Sequence, residues 1–366
     1  MGFACGFVGL PNVGKSTLFN ALCKGGAASA NFPFCTIDPN TGIVPVPDRR
    51  LDELAEMEKS AKIVPTTLKF IDIAGLVEGA SKGEGLGNQF LGHIRGVDAI
   101  AHVVRLFQDP DIVHVSNKVD PSHDLDLILT ELMLADMDHL HKFIDKQTKT
   151  IRNADSDTKF AYETASSFLA DLENGNIPKP DKSDPKIKKV IDELQLLTLM
   201  PAFVCANTDE DTFKNFGKDE ASIKLLETAK QHGLEVVPVC AKLEEELGQL
   251  DPEEAKMFLE DLGVKESGLE RVIHTGYRLL DYITFFTAGP TESRAWTITR
   301  GMTAPEAAGK IHSDMQRGFI RMEVVSYDDL MEYGSWNNAK TAGKLRIEGK
   351  EYVMQDGDSV FVRFSV

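Results

Sequence analysis

The sequence lacks several features that would assign it to a specialised class of protein. Its 366 residues include five cysteines, which form neither a CxxC pair nor a regular framework. This spacing argues against a disulfide scaffold and favours a reducing compartment. No segment approaches the roughly 20 consecutive apolar residues that a membrane span needs. We therefore expect a cytoplasmic protein with no membrane partner.

Positive charge is also scarce, since 40 Lys and Arg residues stand against 57 Asp and Glu residues, a formal net charge of -17. Attraction to phosphates supplies most of the non-specific affinity for nucleic acid, so we expect no binding to naked DNA. Any nucleic-acid partner must be bound through a local surface. A length of 366 residues with 42% hydrophobic residues is enough for two or three domains with cores.

Strand-like and helix-like segments alternate through the first hundred residues, which predicts an α/β fold with a mostly parallel sheet. The segments predicted as strands of this sheet are residues 3–8, 43–46, 68–73, 99–107, 202–206 and 236–240. Helical spacing from about residue 125, followed by helices predicted at 158–173 and 186–198, interrupts this alternation. The sequence thus predicts an α/β domain of residues 1–127 and 200–280, with an inserted helical arm at residues 128–199.

Residues 281–366 form a separate α+β module in this prediction. Its predicted strands are residues 296–299, 319–325, 352–354 and 360–364. Thr303 and Glu306 have the spacing of a capping box, which predicts a helix after the first of these strands. Asp356-Gly357 is typical of the tight turn of a β-hairpin, here between the last two strands.

The first predicted strand is followed by the glycine-rich segment Gly9-Leu10-Pro11-Asn12-Val13-Gly14-Lys15-Ser16-Thr17. Such a turn lets backbone N–H groups surround phosphates, while the following helix directs its positive N-terminal end towards them. We expect Lys15 to be catalytic and to reach the β- and γ-phosphates, and Ser16 to bind Mg²⁺. The residues expected to bind the phosphates are Asn12, Val13, Gly14, Lys15, Ser16 and Thr17.

Two further residues are predicted to bind the metal. Asp72 lies at the end of a predicted strand and opens an Asp-x-x-Gly motif, the position from which P-loop enzymes hold Mg²⁺. Thr36 lies in a proline-containing loop and could supply a second hydroxyl, with Thr41 as the alternative. Leu76 follows the Asp-x-x-Gly motif where related enzymes place a water-orienting Gln, so another group must position the water.

Two segments compete for the role of reading the base. Residues 117–120 match the guanine-reading Asn-Lys-x-Asp pattern, but they follow the strand at 99–107 too closely for a crossover helix. The rival segment comprises Asn207, Thr208 and Glu210, directly after a strand, with Cys240 and Ala241 after the next strand. Glu210 replaces the aspartate that accepts hydrogen bonds from guanine, which predicts a weakened preference for guanine.

These motifs together resemble those of the YchF/Obg-like ATPase family along the whole chain. The segments that carry the resemblance are residues 9–17, 31–37, 72–77, 79–90, 294–298 and 304–312. It implies a G domain, an inserted antiparallel helical arm and a C-terminal TGS domain with a ubiquitin-like β-grasp fold. It also implies a slow, Mg²⁺-dependent ATPase that associates with the ribosome, through the large subunit or the whole particle.

The resemblance further implies roles for two residues. His114 would position the attacking water when the glycine-rich segment after Gly75 closes, although an ordinary strand-edge histidine is an equal interpretation. Asn12 resembles the P-loop asparagine that holds K⁺ in some related hydrolases. We expect the protein to act as a monomer.

The leading functional hypothesis is a switch in which ATP and Mg²⁺ order the loops around Thr36 and Gly75, and hydrolysis to ADP and phosphate ends a ribosome-binding state. One alternative is a GTPase of the Obg type. Another is a nucleotide-gated binding module in which hydrolysis is incidental.

Overall fold

A computed structural model gives the fold of the protein and describes residues 4–29, 40–73, 92–109, 118–264 and 266–365. The chain divides into two compact units. The first comprises Met1–Ile43 and Lys69–Val272, and the second comprises Val44–Leu68 and Ile273–Val366. None of the helices in the described ranges is both long and apolar enough to cross a membrane.

The secondary-structure elements are numbered here in chain order. The strands in the described ranges are β1 (Ala4–Gly9), β2 (Thr41–Pro45), β3 (Ile63–Val64), β4 (Thr67–Asp72), β5 (Ala99–Arg105), β6 (Ala202–Asn207), β7 (Val236–Val239), β8 (Tyr282–Thr287), β9 (Ser293–Thr299), β10 (Phe319–Ser326), β11 (Arg346–Glu348) and β12 (Asp358–Phe364). The α-helices are α1 (Lys15–Ser29), α2 (Arg49–Glu58), α3 (Pro121–Thr148), α4 (Ser156–Glu173), α5 (Pro185–Leu194), α6 (Glu210–Lys214), α7 (Glu220–Gln231), α8 (Ala241–Leu247), α9 (Pro252–Asp261), α10 (Gly268–Leu279), α11 (Ala304–Ile311), α12 (Ser313–Arg317), α13 (Tyr327–Tyr333) and α14 (Trp336–Thr341).

The first sheet has six strands in the order β2, β4, β1, β5, β6, β7. The neighbouring pairs β4–β1, β1–β5, β5–β6 and β6–β7 are all parallel. Every residue of β1 and β5 is buried, as expected for central strands of a parallel sheet covered on both faces. Because parallel strands end at the same edge, the loops after β1, β4, β6 and β7 meet there. This edge positions the candidate site.

The inserted helices have a core of their own. α3 and α4 are joined by a short connection, which makes them antiparallel neighbours, and α5 packs beside them. The buried side chains of this cluster include Leu140, Ala165, Phe168, Val190 and Leu194. Asp136 is fully buried and accepts hydrogen bonds from the backbone N–H groups of Leu197 and Thr198 at 2.9 and 2.8 Å. These bonds fix the chain where it leaves the helices and returns to β6.

The second sheet is mixed and has the order β11, β10, β12, β8, β9, β3. β12 pairs in parallel with β8, whereas β10 and β9 are antiparallel to these two strands. α11 packs on one face over a core that includes Ile283, Phe285, Ile298, Met322 and Val360. The capping box predicted for this helix is confirmed, since the Thr303 N–H donates to the Glu306 carboxylate at 2.7 Å.

The hairpin predicted at Asp356-Gly357 is wrong. Residues around Val353 form only an isolated bridge with Thr303, and β12 pairs with β10 and β8 instead. The turn is held by other elements, because Gly357 N–H donates to the carbonyl of Thr284 at 2.8 Å. An Asp-Gly pair therefore marked a turn, but could not identify the strands that it joins.

Candidate nucleotide-binding site

The loop between β1 and α1 adopts a backbone that needs a glycine. Gly14 has φ 83°, and Asn12 has φ 64°, both in the left-handed region. A Cβ atom at Gly14 would overlap the side-chain amide of Asn207. The carbonyl of Gly14 already accepts the N–H of Leu18 at 3.0 Å, as in the first turn of the helix. Gly14 thus permits both the turn and the close approach of Asn207.

Three side chains meet at the carboxyl ends of β1 and β4. The Lys15 ammonium forms an ion pair with Asp72, and the Ser16 hydroxyl donates to the other carboxylate oxygen at 2.7 Å. The side chains of Lys15 and Asp72 are only 10% and 13% exposed. The parallel pairing of Phe7 with Asp72 places the carboxylate beside the start of α1. A cation and two kinds of oxygen ligand are therefore concentrated where a helix N-terminus favours anions.

The donor set at this point fits Mg²⁺. The Ser16 hydroxyl and the Asp72 carboxylate are hard oxygen ligands, and one or two such groups together with substrate phosphates are what Mg²⁺ usually binds. Their separation of 2.7 Å allows both to face one ion. Within the described ranges no cluster of three or more His, Cys, Asp or Glu side chains offers a competing metal site.

Asn207 is the last residue of β6, and it links this strand to the loop between β1 and α1. It is 3% exposed, and its Nδ2 donates to the carbonyl of Val13 at 2.9 Å. Its Oδ1 is buried and has no hydrogen-bond partner among the described residues. A buried acceptor without a donor is costly, so this oxygen is suited to accept from a ligand.

The neighbouring residues are fixed by the end of β7. The N–H of Thr208 donates to the carbonyl of Val239 at 2.8 Å, and its hydroxyl reaches the same oxygen at 3.2 Å. Cys240 and Ala241 follow directly, where α8 begins, and both are buried. The structure therefore brings Asn207, Thr208, Cys240 and Ala241 to the same edge of the sheet.

Glu210 differs from these residues in its surroundings. It is the first residue of α6, and its carboxylate pairs with Lys214 at 2.7 Å while remaining 51% exposed. The hydrogen bond from Lys214 holds the pKa of this carboxyl below its ordinary value. Asp209 instead caps the helix by accepting from the N–H of Thr212 at 2.8 Å. Lys214 pairs with one carboxylate oxygen of Glu210, which leaves the other oxygen to accept a hydrogen bond from a base.

In the competing segment at residues 117–120, the side chain of Asp120 makes structural contacts. Asp120 caps α3 by accepting from the N–H of His123 at 3.2 Å, and it pairs with Lys224 at 3.0 Å. Its carboxylate is thus occupied by a helix N-terminus and a lysine.

Several predicted groups lie outside the described residues. These are the metal ligand Thr36, the water-positioning candidate His114, Asn117 of the competing segment, and the glycine-rich segment that includes Leu76. Their roles stay predictions.

Arg105 is a buried residue of this region that sequence reasoning missed. It is 1% exposed at the end of β5, and it donates to the carbonyls of Phe107 and Asp109 at 3.1 Å each. Its guanidinium lies 4.3 Å from the centre of the Phe107 ring. These bonds fix residues 107–109, which follow β5. A charged residue at the end of a strand whose other residues are all apolar except His102 was the available signal.

Glu244 was missed as well. It lies in the first turn of α8, is 5% exposed, and accepts from the N–H of Gly268 at 2.7 Å. Burial raises the pKa of Glu244 to about 7. Its carboxylate thus joins the start of α8 to the start of α10, while its backbone N–H donates to the carbonyl of Cys240 in the first turn of α8.

Comparison with known proteins gives matches at both ends of the chain and over its full length. A family model described as a 50S ribosome-binding GTPase matches residues 4–151. A model for the C-terminal region of YchF GTPases, described as a protein of unknown function, matches residues 282–365. Proteins named ribosome-binding ATPase YchF are 52% identical in Haemophilus influenzae and Bacillus subtilis, and 51% identical in Escherichia coli O157:H7. Each of these matches covers 100% of both chains.

A solved structure is similar as well. The structure of the Schizosaccharomyces pombe YchF GTPase has a TM-score of 0.88 and 38% sequence identity, and the match covers 99% of this chain and 97% of that one. The α/β P-loop fold with a C-terminal TGS-like domain is thereby confirmed.

Proposed function

This chain belongs to the YchF family, and from that premise we propose that ATP binding and slow hydrolysis at the site around Lys15 switch its association with the ribosome. The protein is an ATPase, as the names of its bacterial relatives state for those proteins, and we infer that it cleaves the β–γ phosphoanhydride bond of ATP. The observation that carries the proposal is the convergence of Lys15, Ser16 and Asp72 beside the N-terminus of α1.

Phosphoryl transfer to water needs mainly positioning and stabilisation of charge, which these residues can supply. Lys15 and the backbone N–H groups of residues 12–17 would bind the β- and γ-phosphates. Ser16 and Asp72, with Thr36, would hold Mg²⁺, which when bound neutralises phosphate charge. His114 would orient the attacking water, and Asn12 would hold a K⁺ ion. Equal hydrolysis in K⁺ and Na⁺ would contradict the role of Asn12.

The side chain of Asn207 can bind adenine, and since Asn also occupies this position in the guanine-reading pattern, discrimination between the bases falls to Glu210. The Nδ2 of Asn207 is committed to the carbonyl of Val13, which leaves the buried Oδ1 to accept from the ligand. Adenine carries an amino donor at C6, whereas guanine carries an oxygen acceptor there. The remaining groups of this base site would be Thr208, Glu210, Cys240 and Ala241.

A GTPase is the second candidate, because the similar S. pombe structure is titled a GTPase. Both candidates share the phosphate site, and they differ only in the base. Comparison of the two nucleotides therefore separates them, whereas loss of Lys15 would strongly reduce either activity.

The proposal extends to organisation and partners. We assign residues 128–199 to a helical arm inserted in a G domain of residues 1–127 and 200–280, with the TGS domain at residues 281–366. The protein would act as a cytoplasmic monomer that contacts the ribosome, including the large subunit that the matching family model names.

Sedimentation with ribosomes tests the switch. The full chain is mixed with ribosomes in the presence of ATP, ADP or no nucleotide, and the bound fraction is measured. We expect ATP to increase binding, and Lys15→Ala to remove the difference between ATP and ADP. Equal sedimentation of the unchanged protein in all three conditions would contradict a nucleotide-controlled switch.

A further inference from the structure

A groove lies between α2 and α13 within the second unit. Leu51 and Leu54 of α2 belong to the same buried cluster as Leu330 of α13, which holds the two helices side by side. A hydrogen bond from the Tyr327 hydroxyl to the Glu53 carboxylate joins the helices at the surface. Beside this core they enclose an open cavity of about 520 Å³, which we call the α2–α13 groove. Its lining residues are Glu53, Glu56, Met57, Leu330, Met331 and Gly334.

The floor and walls of the α2–α13 groove are apolar. Leu330 is fully buried, and the side chains of Met57 and Met331 are half-buried against the same cluster. Gly334 ends α13 with φ 70°, and a Cβ atom there would meet nothing within 4 Å, so this end of the groove is open. Methionine side chains adapt to the shape of an apolar partner, and grooves lined by them bind amphipathic helices.

The charge around the groove is negative. Glu53 and Glu56 lie on the same side of α2 as Met57, because residues three and four apart share a helix face. In all, α2 carries four acidic residues, and α13 carries three acidic residues and no lysine or arginine. The pKa of Asp52 is raised by burial and by the carboxylates of Asp48 and Glu53. Negative charges on this part of the surface therefore already repel one another.

Nearby cations leave much of this charge available. Arg49 pairs with Glu53 at 2.6 Å, but its side chain is 90% exposed, and such exposed pairs contribute little. Lys344 pairs with Asp329 of α13 at 2.9 Å. Arg50 does not line the groove and is held by two other carboxylates. The rim of the groove is thus suited to a partner that brings its own positive charge.

From these contacts we propose that the α2–α13 groove binds a basic amphipathic helix of a partner protein. The apolar side chains of this helix lie between Met57 and Met331, and its lysine or arginine residues face the glutamates of the rim. α2 has ten residues and is about 15 Å long, so about three turns of the partner helix can lie along it. The inference goes beyond the proposed function, since none of these residues belongs to the candidate nucleotide-binding site.

NMR spectra of the full chain with 13C-labelled methionine methyl groups test the position of the site. The protein has 11 methionines, two of which line the groove, and Met57→Leu and Met331→Leu assign their signals. The added peptide has about 14 residues, with leucine at the spacing i, i+3, i+4, i+7 and lysine at most other positions. We expect the Met57 and Met331 signals to shift and to saturate at one peptide per chain. Unchanged signals from both residues would overturn the inference.

Met257 is the matched control in these spectra. Its side chain is 69% exposed on α9, which is also rich in acidic residues but belongs to the first unit and does not line the groove. We expect its signal to stay in place. A shift of Met257 as large as those of Met57 and Met331 would show attraction by charge alone, and would overturn a specific site.

A charge reversal tests the rim without disturbing the apolar floor. Because the net charge of -17 attracts any basic peptide, Glu56→Lys is compared with Glu163→Lys, which makes the same change at an exposed position of α4. We expect Glu56→Lys to weaken binding of the fluorescent peptide by about tenfold and Glu163→Lys to have little effect. Equal losses in the two variants would contradict the proposal. Unchanged hydrolysis of ATP verifies that both variants are folded.

Two further measurements separate the partner helix from other occupants. A peptide of the same composition, with its leucines spread around the helix, should bind at least tenfold more weakly than the amphipathic one. Equal binding would show that the groove takes any basic chain, which overturns a helix as the occupant. Sedimentation velocity of the protein alone should show a monomer. A dimer that Glu56→Lys dissociates would make a second copy of this chain the occupant and would overturn a partner protein.

Discussion

The phosphate end and the base end of the candidate site are built differently. At the phosphate end, Lys15, Ser16 and Asp72 contact one another, and two of them are almost buried. At the base end, Asn207 is buried and tied to Val13, but Glu210 is half exposed and pairs with Lys214 on its own helix. The first group forms one connected unit, whereas the second has one fixed residue and one adjustable residue.

This difference indicates how phosphate binding and base choice should each respond to mutation. Phosphate binding depends on a network in which each residue is positioned by another, so a single change should remove it. Base choice depends on few contacts, so a single exposed change should alter selectivity without loss of the fold.

Lys15→Ala should have the largest effect. It removes the cation at the phosphate end and leaves Asp72 without its ion pair, and we expect hydrolysis to fall by about 100- to 1000-fold. Single-turnover hydrolysis of radiolabelled ATP measures this change. Lys224→Ala, which breaks an exposed pair with Asp120, is the control and should retain full activity.

Asn207→Ala should have an intermediate effect, because Asn207 belongs to the predicted base site and also holds the phosphate loop at Val13. The change removes the donor to the Val13 carbonyl and the acceptor offered to the base, so we expect affinity for ATP to fall by about 10- to 100-fold. Titration with a fluorescent ATP analogue measures the dissociation constant. If ATP affinity were unchanged in a folded variant, the link between the two ends would have no role in binding.

Glu210→Asp should change selectivity rather than stability. It restores the shorter carboxylate of the guanine-reading pattern, and we expect the ratio of GTP to ATP affinity to rise by about tenfold. Thermal unfolding should be almost unaffected, because the side chain is exposed. The matched control is Glu220→Asp, the same substitution at the first residue of α7. A similar shift in both variants would show that Glu210 has no specific contact with the base.

Glu244→Gln should have the smallest effect, visible only as pH dependence. Because burial raises the pKa of Glu244 from 4.5 to about 7, the folded protein holds this proton more tightly than the unfolded chain does. Its contribution to the free energy of unfolding is therefore present at low pH and is lost as the pH rises through this window. Glu244→Gln should remove about 1 to 3 kcal/mol of that dependence.

Urea unfolding near pH 5 and near pH 7.5 measures the change for Glu244→Gln. Buried His102 has a pKa lowered to about 4 by burial, so it contributes a slope of the opposite sign below its ordinary value of 6.5. The comparison must therefore be made between variants, and identical pH profiles would contradict the role of Glu244.

The sequence predicts the phosphate end better than the base end. Residues 9–17 are consecutive and need one backbone turn, so their pattern alone defines a local structure. Asp72 could be placed because a parallel strand must end beside the loop. Asn207 could be placed only by its order after a strand, and its bond to Val13 joins residues that are distant in sequence.

The remaining features depend on contacts that no local pattern encodes. The exception is the pairing of Glu210 with Lys214, an i, i+4 pair that the sequence could have predicted once a helix is placed at Glu210. Arg105 and Glu244 acquire their importance only from burial in the folded chain. In the second unit, β8 was missed although its sequence is rich in β-branched and aromatic residues. The partners of the Asp356-Gly357 turn could not be predicted, because the parallel pairing of β12 with β8 joins strands far apart in the chain.

The most direct test of the account is the affinity of the unchanged protein for ATP and for GTP, measured by calorimetry in the presence of Mg²⁺. We predict that ATP binds more tightly by about tenfold or more, because Glu210 replaces the guanine-reading aspartate and the buried Oδ1 of Asn207 is available to accept from the amino group of adenine. GTP binding tenfold or more tighter than ATP would contradict the base site described here and would make the protein a GTPase.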